Sequence, residues 1–233
     1  MKNKITMTSV LFVFFFLLSC RTMSVNQTAE NLKKGKGESL FTPNVGIFIY
    51  NPFLLPYIGD AFINLGFQQR FGLTDSIELQ FKSDLILMFP LPEIIIFTDF
   101  GFKFNIYEKN KFNIAVIPYV GWFAGDGNGP INGPTTGFKF IISGYNEKYK
   151  NSPYFGSIIQ FKKDILYNYY HENLLDLELG LSIGFEKNKN VITRNEFTIS
   201  SNFSFNHKSH SGFIGISCAY TISVGGNYFL KKK

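Results

Sequence analysis

The stretch Leu175-Asp176-Leu177-Glu178-Leu179-Gly180-Leu181-Ser182-Ile183-Gly184-Phe185 decides the fold. Its odd positions are Leu, Leu, Leu, Leu, Ile and Phe; its even positions are Asp, Glu, Gly, Ser and Gly. Successive side chains of a strand point to opposite faces. One face of this segment is therefore wholly apolar and the other polar or tiny, whereas a helix would scatter both kinds on every side.

The same split recurs along the chain. Ala61 to Phe71 sets Ile63, Leu65 and Phe67 against Asn64, Gln68 and Arg70. Ser76 to Leu85 sets Ile77, Leu79 and Phe81 against Glu78, Gln80, Lys82 and Asp84. Ile95 to Tyr107 sets Ile96, Phe100, Phe102 and Phe104 against Asp99, Gly101 and Lys103. Val191 to Phe205 sets Phe197, Ile199 and Phe203 against Arg194, Glu196, Thr198 and Ser200. Phe213 to Gly225 alternates in the same way, Phe112 to Phe123 has one mixed face, and Gly137 to Tyr145 and Tyr154 to Lys163 are shorter. With a weaker segment at Asn44 to Tyr50, this predicts an all-β, antiparallel up-and-down transmembrane β-barrel of about 10 strands, with eight to twelve allowed.

Alternation alone fits a soluble barrel equally well, since only the facing differs. Three signals favour apolar residues outward. Several segments run 11 to 15 residues, against ~5–6 in soluble proteins and the ~9–11 that a tilted strand needs to cross a bilayer. The polar face mixes Gly and Ser with long charges, as a crowded lumen requires. Its cations Arg70, Lys82, Lys103, Lys139, Lys162 and Arg194 match its acids Glu78, Asp84, Asp99, Asp176, Glu178 and Glu196 in number. That balance predicts an internal ion-pair network and a plugged lumen. Aromatics such as Tyr50, Phe71, Tyr107, Phe112, Trp122, Tyr145 and Phe185 stand at segment ends, where interfacial girdles form.

Composition agrees. Aromatic residues make up 18% of the 233 residues and charged ones 17%, the latter below the ~25% of ordinary soluble domains. Net charge is +6, and loss of Lys2 and Lys4 with a leader leaves 21 basic residues against 17 acidic, or +4. The basic residues form no stripe with interleaved aromatics, which argues against nucleic acid.

At the N-terminus, Lys2 and Lys4 precede the apolar run Val10 to Leu18, too short to span a bilayer as a helix and read as a signal peptide. Leu17-Leu18-Ser19-Cys20 resembles a bacterial lipobox, with Leu18 bulkier than usual at its position. The resemblance implies a lipoprotein: acyl chains on Cys20 and cleavage before it. Residues 1–19 are thus expected to be the signal peptide and 20–42 a lipidated cysteine with a flexible polar tether. Residues 43–230 would form the barrel and 231–233 a basic tail. Longer odd-numbered loops place both termini in the periplasm. Phe71-Gly72-Leu73-Thr74-Asp75 resembles a phrase common in outer-membrane barrel families. The chain departs from them at its end, where Leu230 and three lysines follow Phe229.

Chemistry is sparse. His207-Lys208-Ser209 vaguely resembles the His-x-Ser pair of outer-membrane lipid A deacylases, but no acid stands near to orient the histidine. Asp126 and Asn128 hint at a calcium loop, yet the twelfth position is Gly137 and not Glu. The expectation is an outer-membrane lipoprotein that is no enzyme, needs no cofactor or metal, and meets membrane lipid and an unspecified extracellular ligand. The alternatives are a narrow porin, a lipid A-modifying hydrolase, or a soluble lipid-anchored periplasmic β-domain.

Overall fold

The structure, a computed structural model, describes residues 25, 27–50, 57–89, 93–109, 111–126, 131–145, 151–163, 174–188, 191–206 and 212–229. Cys20, the leader, Asn128, the three histidines, Ser209 and the basic tail lie outside them. The chain folds as ten antiparallel strands: β1 (Lys36–Tyr50), β2 (Tyr57–Gly72), β3 (Ile77–Phe89), β4 (Glu93–Lys109), β5 (Phe112–Asp126), β6 (Ile131–Gly144), β7 (Asn151–Lys163), β8 (Leu174–Asn188), β9 (Ile192–Asn206) and β10 (Gly212–Phe229). Each strand pairs with its sequence neighbour, and β1 pairs with β10 to close the barrel. Closure leaves no strand edge unpaired, the condition for a sheet to lie in hydrocarbon.

The alternation read from the sequence is the alternation of the wall. Along β3 the even positions from Glu78 to Met88 are buried and the odd ones are not. Outward side chains are apolar and open: Ile183 is 64% exposed, Ile106 60%, Val120 59% and Phe138 55%. Inward ones include Arg70, Glu78, Lys103, Glu178 and Arg194, each at most 2% exposed. Water-soluble proteins rarely expose contiguous apolar patches beyond a few hundred Å², whereas here the wall is apolar on its outer face and ionic within. This is the facing of a membrane barrel.

Phe100, near the middle of β4, looks outward at 43% exposure. Phe100→Arg is therefore expected to cost ~2–4 kcal/mol in lipid vesicles, measured by urea unfolding. An unchanged stability would mean that this face meets water.

Two expectations need correction. The barrel begins at Lys36, not Pro43, so Lys36 to Thr42 belong to β1 and not to a tether. Pro43 explains why the strand is hard to see: it has no N–H to donate. Pairing of β1 with β10 runs to Phe41↔Val224 and resumes at Asn44↔Thr221, while β2 stays paired across the gap. Second, Val25 and residues 27–34 are not a free spacer. Val25 and Gln27 to Ala29 are buried inside the barrel, and the chain then rises to its rim, where a turn at Lys34-Gly35 delivers it into β1. Gly35 adopts φ 78°, a left-handed conformation that glycine takes without a Cβ penalty. Its amide donates to the Gly72 carbonyl at 2.9 Å, and the Lys36 amide to that of Lys33 at 3.0 Å.

The lumen as candidate functional site

The lumen is filled in two layers. The rim where β1 begins and β10 ends is called the near end, and the opposite rim the far end. In the near half the N-terminal segment is hydrogen-bonded by side chains from five strands, including Arg70 on β2, which donates to the Glu30 carbonyl at 3.2 Å. The Val25 amide donates to Glu196 Oε1 on β9 at 2.8 Å. The Gln27 and Gln80 side-chain amides exchange two hydrogen bonds of 2.9 and 2.7 Å. The Ala29 amide donates to Ser143 Oγ on β6 at 2.9 Å, and the Leu32 amide to Glu78 on β3. Lys103 Nζ on β4 donates to the Thr28 carbonyl at 2.9 Å and to that of Glu30. Apolar contact completes the seat: Val25 and Ala29 cluster with Ile117, Ile141, Tyr154 and Ile158. A Cβ on Gly156 would come within 2.4 Å of Val25, so glycine there makes room for the segment.

Beside this plug runs a chain of alternating charges. Glu78 pairs with Arg70 at 2.8 Å and Lys103 at 3.4 Å. Arg70 also pairs with Glu38 at 2.9 Å, Glu38 with Arg194 at 2.9 Å, and Arg194 with Glu186 at 2.6 Å. The chain thus crosses from β4 through β3, β2, β1 and β9 to β8. Buried charges are tolerated only when paired and hydrogen-bonded, and the fork of each arginine meets two carboxylates. A cavity of about 150 Å³ lies against this chain at the near end, between the plug residues Glu30 to Lys33 and the wall residues Glu38, Arg70, Glu186 and Arg194. Both guanidiniums on its wall are engaged by carboxylates.

Other members of the expected set sit deeper. Lys82 pairs with Asp84 at 2.8 Å, Lys139 reaches Asp99 at 4.0 Å, and Lys162 pairs with Glu178. Glu196 accepts from the Val25 amide, the Tyr154 hydroxyl at 2.8 Å and the Thr198 hydroxyl at 2.9 Å. Asp176 differs from the rest, being half-buried with no ion pair among the described residues. Its register partner on β7 is Lys162, whose ammonium turns instead to Glu178.

In the far half the side formed by β2 to β5 is filled by apolar side chains, while β7 and β8 contribute the Lys162–Glu178 pair. Phe62, Ile86, Met88, Ile95, Phe97 and Phe123 point inward from β2 to β5 and cluster with Ala219. Phe97 stacks on Phe123 with centroids 5.6 Å apart, and Lys162 Nζ lies 5.5 Å from the Phe97 ring centre, reaching it from β7. The lumen is therefore not uniformly polar, as strict alternation of apolar-out and polar-in implied.

Two of the network's acids, Glu38 and Glu186, fall outside the set expected from the sequence. Glu186 was legible in principle: it continues the even-numbered polar face one step past Phe185. Glu38 was hidden in the segment taken for a tether. Asp126 ends β5.

No protein-family profile matches the chain, and no curated protein matches it. The chain is similar to several solved structures. The outer membrane protease OmpT from Escherichia coli has 8% identity, covering 87% of this chain and 99% of that one, with TM-score 0.39. The beta domain of the Bordetella autotransporter Brka has 8% identity over 84% and 99%, with TM-score 0.43. Ail, the attachment invasion locus protein of Yersinia pestis, has 8% identity over 84% and 99%, with TM-score 0.30. At these identities the likeness concerns the fold alone.

Proposed function

We propose that this protein is a non-enzymatic outer-membrane β-barrel lipoprotein with a sealed lumen, and that its far-end loops serve a structural or surface-interaction role toward an extracellular ligand. The observation that carries the reading is the double filling of the lumen, by Val25 and residues 27–34 beside the Glu38–Arg70–Glu78 ion pairs at one end and by the Phe62–Phe97–Phe123 cluster at the other. A conducting pore needs a continuous polar path, and each of the two fillings narrows one. In planar bilayers the wild-type protein is expected to give no stable conductance steps; steady steps would favour the porin alternative.

The lipid anchor belongs to the same reading. Glu196, which holds the Val25 amide, is the fifth residue of β9 counted from the near end, roughly 14 Å along the strand. Five extended residues span at most about 17 Å. A lipidated Cys20 can therefore reach the near rim, while the far rim, ten residues along β9 from Glu196, is out of range. Short turns and both chain ends mark the near rim as periplasmic in such barrels, so the acyl chains would enter the inner leaflet. Mass spectrometry of the purified protein's N-terminal peptide is expected to find Cys20 acylated as the first residue. An unmodified cysteine, or a chain cut elsewhere, would remove the anchor and leave the barrel.

A further inference from the structure

The lysines that the lumen does not use are gathered at one rim. Lys33, Lys34, Lys36, Lys109, Lys111 and Lys187 all lie at the near end, where the exposed acids are Glu30, Asp75 and Glu108. At the far end the described residues carry Lys163 against Asp60, Glu93 and Asp126. None of Lys33, Lys34, Lys109 and Lys187 makes an ion pair among the described residues.

These lysines are also interleaved with the near-end aromatics. Lys36 Nζ stands 5.4 Å from the Phe229 ring centre, and Lys111 Nζ 6.0 Å from that of Tyr145. Lys187 follows Phe185 on the outward face, and Lys109 lies beside Tyr107, which packs edge-on against Phe112. Aromatics at strand ends mark the level of the headgroups, and a lysine held there points its ammonium where lipid phosphates lie.

We propose that the near rim is a binding belt for anionic phospholipid headgroups, with the exposed lysines contacting phosphates and the aromatic rings resting at the base of the headgroups. The proposal rests on the outer-membrane reading, and within it adds which leaflet surface is recognised and by what. Its physical basis is the one-sided charge. Basic residues next to a membrane surface are drawn to anionic lipid within a Debye length, and a belt confined to one rim also opposes insertion in the inverted sense.

The test uses full-length protein folded in detergent micelles doped with equal phosphatidylglycerol and phosphatidylcholine, then released for native mass spectrometry. The wild type is expected to retain phosphatidylglycerol over phosphatidylcholine by roughly tenfold. The variant combining Lys33→Gln, Lys34→Gln, Lys109→Gln and Lys187→Gln should hold the two lipids to within about twofold. Lys163→Gln, at the other rim, should match the wild type. No preference in the wild type, or one undiminished in the fourfold variant, overturns the belt. Unboiled-gel migration separates the two possible failures. A compact band without lipid preference leaves the membrane barrel standing and removes the belt. A chain that folds in water without detergent removes the membrane reading, and the belt with it.

Discussion

Glu78→Ala is expected to destabilise the folded barrel by ~3–5 kcal/mol, the cost of stranding buried partners of a removed charge. Glu78 is wholly buried on β3 and joins three parts of the molecule. It accepts from Arg70 Nε and Nη2, both at 2.9 Å. It also pairs with Lys103 on β4 at 3.4 Å and accepts the Leu32 amide of the plug. Without it Arg70 keeps Glu38, but Lys103 is left with only the plug's carbonyls, and the plug loses a bond where it turns back toward the wall. Glu78→Gln keeps the volume and one accepting oxygen, so it should cost less than the alanine variant. Lys34→Ala, on the exposed turn, should stay within ~0.5 kcal/mol. Urea unfolding of the protein in detergent micelles, followed by loss of the compact band on unboiled gels, orders the three. Equal stability of Glu78→Ala and the wild type would show that the ion-pair chain contributes no net stability.

How much of this site the sequence discloses depends on the range of the interaction. Wall facing is a local property: at Leu175 to Phe185 it can be read two residues at a time, and the strand carries it unchanged. Which charges face the lumen follows from the same alternation. Who pairs with whom does not, because partners such as Glu38 and Arg194 are 156 positions apart and meet only when β1 closes on β10. The plug was the least legible part. Val25 to Lys34 is polar and aperiodic, the usual mark of a linker. Nothing within it reveals that Glu196, Gln80, Ser143 and Glu78 will be arrayed to receive its backbone. Its order comes from the wall that surrounds it. The start of β1 was obscured for a different reason: Leu40 faces in and Phe41 out, two adjacent apolar residues that blur the period just before Pro43.

The two fillings of the lumen make a sharper expectation about conductance, because seals in series must both be broken before ions pass. Replacing Val25 to Lys34 by a Gly-Ser run of equal length keeps the main-chain groups but removes the Val25 and Ala29 side chains packed on Ile117, Ile141, Tyr154 and Ile158 and the Gln27–Gln80 pair, so the segment is expected to leave its seat and its hydrogen bonds to Glu196, Ser143 and Glu78 with it. It leaves Phe62, Phe97 and Phe123 closing the far half. That variant should be less stable, with each lost hydrogen bond worth ~0.5–1.5 kcal/mol, and still electrically silent. Phe97→Ala with Phe123→Ala empties the stacked pair at ~3–5 kcal/mol per ring, but leaves the plug in its seat and should be silent as well. Only the combination joins the polar near half to the far mouth, and stable conductance steps are expected from it alone. Planar-bilayer recording of the four proteins decides the matter. Steps from the plug variant by itself would mean that the aromatic layer does not exclude water. If the combined variant stays silent while still migrating as a compact barrel, the wall strands must have closed around the space, and the lumen is sealed by the geometry of ten strands rather than by what fills it.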